Sequence, residues 1–185
     1  LSYEINVSAN HGLSVWKAVM NAGLEYDITP FGMEALHILR AEKGYLIIGQ
    51  ETDGSMTPSD LGADWIVSRQ KKDFLGKRSL SREDTVRGNR KQLVGLFTKD
   101  PDEILPEGSQ VVNDASIKIP IPMIGHVTSS YYSQHLRRSI ALAMIKGGLN
   151  RIGENVYIPL VDGRTVGAEI TVPQFYDPDG ERQDV

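Results

Sequence analysis

Gln92-Leu93-Val94-Gly95-Leu96-Phe97 marks the point at which this chain changes character. Before it, apolar residues recur at helical spacing. From Gln92 onward they come in short β-type runs: Gln92–Phe97, Gln110–Asn113, Ile121–Tyr132, Ser139–Ile145, Asn155–Leu160 and Thr165–Val172. Gly, Asn, Asp or Pro turns separate these runs, and Asp162-Gly163 is a hairpin signal. Several short strands at such spacing predict a small barrel or sandwich.

Upstream, Leu13, Trp16, Val19 and Met20 form a helical stripe. Asn10 is a plausible cap and Gly23 a stop, which predicts a helix over Leu13–Ala22 with Trp16 in the core. A second helix is expected over Met33–Lys43, closed by Gly44. Its charged residues Glu34, Arg40, Glu42 and Lys43 should decorate an apolar frame of Met33, Leu36 and Leu39. Tyr45–Ile48 reads as a short strand, and Asp53-Gly54 as a turn. Thr57-Pro58-Ser59-Asp60 has the form of a helix start in which Asp60 closes a capping box. The expected class is α+β: a mixed α/β segment over 1–89 followed by a small all-β barrel over 90–185. A long helix inside Ile121–Ile145 would refute that division.

Composition limits the function classes. The chain has 185 residues and a net charge of −4. Such a length buries about 70% of the unfolded surface without a staple. The charge argues against a nucleic-acid binder. There is no cysteine, hence no disulfide, thiolate metal site or cysteine nucleophile. No apolar run of membrane-spanning length occurs, so neither a membrane nor a nucleic-acid partner is expected, and a cytoplasmic location is. Asn6-Val7-Ser8 matches a glycosylation sequon, here read as chance. Leu1–Ser8 opens in strict alternation without an initiator methionine, from which partner strands upstream in a longer chain are expected.

The usual site signatures are missing. Gly76-Lys77-Arg78-Ser79 has Lys71 in place of the first glycine of a phosphate loop, and Arg78 follows the lysine. His11, His37, His126 and His135 make no helical i, i+4 pair, so no metal site is expected. Arg69 to Lys91 holds nine basic and three acidic residues. It is a solvated face or linker, or else a dock for an acidic partner surface or for the anionic tail of a ligand. Trp65 reads equally as core or as a ring wall. Asp53 reads as a turn former.

Gly32-Met33-Glu34-Ala35-Leu36-His37-Ile38-Leu39-Arg40-Ala41-Glu42-Lys43-Gly44-Tyr45, continuing to Gly49-Gln50-Glu51-Thr52-Asp53-Gly54, resembles the alpha subunits of heterotetrameric sarcosine oxidases. More broadly it is similar to the glycine-cleavage T-protein (aminomethyltransferase) superfamily. Thr57-Pro58, Trp65, Asp73–Leu80, Gly125–Ser133 and Phe175-Tyr176-Asp177-Pro178 extend the likeness over nearly the whole chain.

The resemblance implies a folate-binding domain whose strand ends in an aromatic-Glu-Ile triplet, matched by Tyr3-Glu4-Ile5. Glu4 would bind the pterin, accepting from a ring N–H and an exocyclic amine in a forked pair. Tyr3, Trp65 and Tyr176 are the other candidate cofactor-binding residues. Without the resemblance, Glu4 is a solvated strand carboxylate. T-proteins carry Ala-Arg-Asp where this chain has Ala35-Leu36-His37, which favours the sarcosine oxidase branch. The family's catalytic aspartate would lie upstream, so no residue here inherits that role. The implied cofactor is tetrahydrofolate, which takes up the one-carbon unit of oxidised sarcosine as 5,10-methylenetetrahydrofolate. FAD, FMN and NAD are expected in the full heterotetramer with the beta, gamma and delta subunits, and the chain by itself should not oxidise sarcosine. The alternatives are a dimethylglycine oxidase, an aminomethyltransferase or a non-catalytic subunit-interaction module.

Overall fold

The structure, a computed structural model, describes residues 3–116 and 119–183. The chain divides into two compact units, Leu1–Ala35 and Leu36–Val185.

The first unit holds helix α1, Gly12–Ala22, between two short 3-10 turns. Asn10 lies inside the first of these, and no side chain caps α1. Gly23 does stand at its C-terminal end. No residue of α1 is buried, and Trp16 is 55% exposed, not core. Residues 3–8 form no strand, and Leu1 and Ser2 lie outside the described residues. Alternation sets which face a side chain takes, but a strand exists only when a neighbouring edge bonds its N–H and C=O groups.

The second unit is built on a six-stranded antiparallel sheet: β1 Lys91–Thr98, β2 Gln110–Val111, β3 Gly125–Ser133, β4 Arg138–Lys146, β5 Asn155–Pro159 and β6 Thr165–Thr171. The strand order is β2-β3-β4-β1-β6-β5. The two outer strands meet through reciprocal bonds between Val112 and Tyr157, at 2.9 and 3.0 Å. This closes the sheet into a barrel at that point. The α+β class and the barrel expected from the strand runs are therefore present, and Ile121–Ile145 contains no helix. Asp162-Gly163 turns β5 into β6, with Gly163 at φ 86°.

Strand β4 shows why the barrel is firm. Ala141, Ala143 and Ile145 point inward with Val94, Leu96 and Ile158. Ile140, Leu142 and Met144 point outward, into a second cluster with Ala41, Leu93 and Phe97. A strand buried on both faces needs a cover. Helix α2, Met33–Glu42, and the segment after it supply one through Ala41, Leu46, Met56 and Leu61. Residues 45–48 make no ladder and so are not the expected strand. They contribute side chains, not an edge.

The expected polarity of α2 is inverted. Arg40 and Glu42 are buried, whereas Met33, Leu36 and Leu39 are exposed. Periodicity locates a helix but names its inner face only when the core contacts are apolar. Here, Ala41 apart, the inner contacts are polar.

Gly44 ends α2 with φ 72°, and a Cβ there would lie 2.6 Å from the Pro173 carbonyl oxygen. Gly49 also has positive φ, at 94°, but faces open space. Gly49→Ala should cost about 1–2 kcal/mol from backbone strain alone. Gly44→Ala should exceed it by at least about 1 kcal/mol, because the carbonyl must also retreat. Urea denaturation of the two variants measures the difference.

Candidate functional site

Strand β3 slips register between Val127 and Ser129, where Val127 opposes Ala143 and Ser129 opposes Leu142. A strand places i and i+2 on one face, so without the bulge Ser129 would follow Val127 into the barrel. The extra residue, Thr128, turns Ser129 and Tyr131 outward, toward α2.

There they meet Arg40. Its guanidinium donates to Ser129 Oγ at 2.7 Å, Tyr131 Oη at 3.2 Å and the Tyr45 carbonyl at 3.2 Å. It also pairs with Glu51 at 3.0 Å. Glu51, 2% exposed, accepts from the Ile47 N–H at 2.7 Å and from the Ser129 hydroxyl. Gln50 Nε2 reaches Ser129 Oγ at 3.0 Å and the Thr128 carbonyl at 3.1 Å. Only Arg40 Nε in this cluster lacks a partner. Two residues along, Glu42 accepts from Ser133 Oγ at 2.7 Å.

The same helix end holds the C-terminal segment. The Glu42 carbonyl accepts from the Phe175 and Tyr176 N–H groups at 2.9 and 3.0 Å. Lys43 Nζ binds the Asp177 carboxylate at 3.1 Å. Phe175 packs on Phe97 with centroids 5.3 Å apart. Between these parts opens a cavity of about 450 Å³, lined by Gly44, Tyr45, Trp65, Ile66, Gln174 and Pro178 among others. Trp65 is 85% exposed and stands at this cavity as a wall, so the core alternative for it falls.

The four residues singled out in the sequence are placed as follows. Tyr3 and Glu4 belong to the first unit and are exposed, and Glu4 has no hydrogen-bond or ion-pair partner among the described residues. Trp65 and Tyr176 belong to the second unit. Tyr176 is half-buried, and its ring rests on His135 at 4.6 Å, outside the Trp65 cavity. Sequence reasoning missed Arg40, Glu51 and Ser129 as a group. Nothing in their spacing reveals it, because they come together only through the bulge.

A second polar centre lies at Asp60. Its carboxylate accepts from the Thr57 N–H and hydroxyl, both at 2.8 Å, which forms the expected capping arrangement on a single 3-10 turn. Arg90 clamps the same carboxylate from 2.6 to 3.0 Å. Burial pushes the Asp60 carboxyl up, but the bonds from Arg90 and Thr57 outweigh it and hold it below its ordinary value. Asp53 forms the expected turn by accepting from the Ser55 N–H at 2.7 Å. Among the described residues no cluster of His, Asp and Glu is placed to hold a metal, and no helix is long and apolar enough to cross a membrane.

Two family models match this chain. A model of the GCVT N-terminal domain matches residues 1–71, and one of the glycine cleavage T-protein C-terminal barrel domain matches residues 91–177. Sarcosine oxidase subunit alpha of Corynebacterium sp. (strain U-96) is 48% identical over 186 residues, which take in 100% of this chain and 19% of the relative. The subunit of the same name from Rhizobium meliloti (strain 1021) is 39% identical, with 98% and 18% covered. The aminomethyltransferase of Clostridium botulinum (strain Okra / Type B1) is 32% identical, with 82% and 39% covered. The chain thus spans about a fifth of the length of the alpha subunits it matches. The crystal structure of glycine cleavage system aminomethyltransferase T from Bartonella henselae shares the fold, with a TM-score of 0.74 at 20% identity, covering 90% of this chain and 45% of that one.

Two outcomes test this architecture. Arg40→Met leaves the Glu51 carboxylate buried and unpaired and should destabilise by about 3–5 kcal/mol, while Arg40→Met with Glu51→Leu should recover much of the loss. Chemical denaturation of the cycle reads the coupling. A carboxyl held low in the fold stabilises fully above its unfolded pKa, near 4, and loses that contribution as pH falls through the folded value. The stability gap between the parent chain and Asp60→Asn should therefore be widest near pH 7 and narrow steadily below about pH 4.

Proposed function

The chain belongs to the glycine cleavage T-protein family, and from this premise we propose that it is the folate-site part of a sarcosine oxidase alpha subunit. The observation that carries the reading is the spread of similarity. Identity to the Corynebacterium alpha subunit is 48% across the full chain, against 32% over 82% of it for the Clostridium aminomethyltransferase. Leu36, where T-proteins have an arginine, points the same way. Residues 1–89 then belong to the folate-binding domain and 90–185 form its barrel companion.

The donor set suits a reduced folate. Glu4 offers a carboxylate without an internal partner, able to accept from a ring N–H and an adjacent amine. Trp65 and Tyr45 give aromatic walls to a cavity of about 450 Å³, large enough for a ring system. Tyr3 and Tyr176 are the further aromatic candidates. In the assembled enzyme, tetrahydrofolate supplies the nitrogen that takes up the one-carbon unit released from sarcosine. This chain's residues bind and orient: Glu4 fixes the pterin edge. FAD, FMN and NAD, and the beta, gamma and delta subunits, belong to the oxidising part of the assembly.

Glu4→Gln keeps the shape of the side chain but turns one acceptor into a donor, which meets the pterin amine donor to donor. In the assembled oxidase it should weaken tetrahydrofolate binding at least roughly tenfold, about 1.4 kcal/mol. Sarcosine oxidation should persist, with formaldehyde replacing 5,10-methylenetetrahydrofolate as product. Titration of tetrahydrofolate into parent and variant, with both products measured, tests this. An unchanged affinity removes Glu4 from the site.

A further inference from the structure

The barrel end at which β1 begins and β4 finishes carries more positive charge than the sheet can use. Lys91 and Lys146 are directly opposed in the β1–β4 register. Like charges facing each other across a ladder are unfavourable. Both line a recess of about 180 Å³ with Asp53, Ser55, Asp84, Arg87, Asn89 and Arg90. The four cations there face two carboxylates, of which Asp84 is held in ion pairs and Asp53 is not. Asp84 is paired with Arg87 at 3.1 Å and with Arg90 at 3.2 Å. Asp53 turns its Oδ1 to the Ser55 N–H and hydroxyl, at 2.7 and 2.6 Å. Arg90 is further committed to Asp60. Lys91 and Lys146 therefore stand in the recess without an ion pair among the described residues. His126 is half-buried beside them, with Nδ1 3.5 Å from Lys91 Nζ.

We propose that this recess binds a small oxyanion, a phosphate or carboxylate group held between Lys91 and Lys146. Asp53 offers Lys91 one negative charge without an ion pair, and the anion supplies the second charge that the opposed lysines lack. Asn89 stands at the recess as a neutral donor. Burial and then Lys91 push the His126 imidazole below its ordinary value, with Asp53 opposing. A neutral ring leaves Nδ1 free to accept from the Lys91 ammonium, and so to steady it. The recess is too small for a pterin and shares no lining residue with the Trp65 cavity. It is a separate site, and its test does not depend on the folate reading.

The test is calorimetric titration of the full chain with inorganic phosphate and, separately, with glutarate, at an ionic strength held constant with sodium chloride. The parent chain should bind one equivalent of at least one of them saturably, and the tighter of the two identifies the anion chemistry. Lys146→Met should weaken that binding at least roughly tenfold, and Lys146→Arg should restore it. Lys17→Met, a charge change in α1, should leave it unaltered. Ligand-free Lys146→Met should melt no lower than the parent, since it removes a like-charge pair. The proposal is overturned by absence of saturable binding, by an equal loss in Lys17→Met, or by undiminished binding in Lys146→Met.

Discussion

The second unit hangs on one buried ion pair. Arg40 and Glu51 sit on either side of the turn that follows α2, and both reach Ser129 on the outside of β3. Two desolvated charges are costly unless they satisfy each other and their remaining donors. Here the Tyr45 carbonyl, the Ile47 N–H, Tyr131 and Ser129 fill those positions, with Arg40 Nε the exception. The segment 40–51 is thereby pinned to the barrel wall without a regular ladder of its own.

Much else depends on that pin. With α2 fixed, the Glu42 carbonyl presents an acceptor to the N–H groups of Phe175 and Tyr176. Lys43 is placed to take Asp177. Gly44 lets the backbone of Pro173 approach to a distance no other residue permits. The C-terminal segment is thus held by three consecutive residues of one helix end. The Trp65 cavity lies between that segment, the helix end and the 61–66 turn. Its walls come from loops, yet the C-terminal segment is tied to the helix end by the Lys43–Asp177 pair, and the helix end to the barrel by Arg40, which suits a binding site that must hold its shape.

The barrel is the rigid partner in this arrangement. Val112 and Tyr157 join the two outer strands, and β1 and β4 are apolar on both faces. An inner face of alanine and larger aliphatic side chains fills the lumen, so the barrel is a packed core and not a pore. Function is accordingly sought on its outside, at the Trp65 cavity and at the end where Lys91 and Lys146 face each other.

The sequence by itself determined the barrel strands, both main helices, the glycine at the end of α2, the Asp53 turn and the Thr57–Asp60 cap. All of these rest on short-range rules: a period of two or 3.6, a turn residue that tolerates positive φ, a side chain that reaches its own backbone. It also carried the family likeness, because that lies in residue identity and not in contacts. Only the tertiary structure decided that Arg40 and Glu42 face inward while Leu36 and Leu39 face out. One bulged residue in β3 set that outcome by turning Ser129 from the lumen toward the helix. It likewise decided that the alternation of residues 3–8 forms no strand, that 45–48 is a pinned loop, and that Trp16 is exposed. Those questions depend on which distant surface offers a partner, and no local pattern records it.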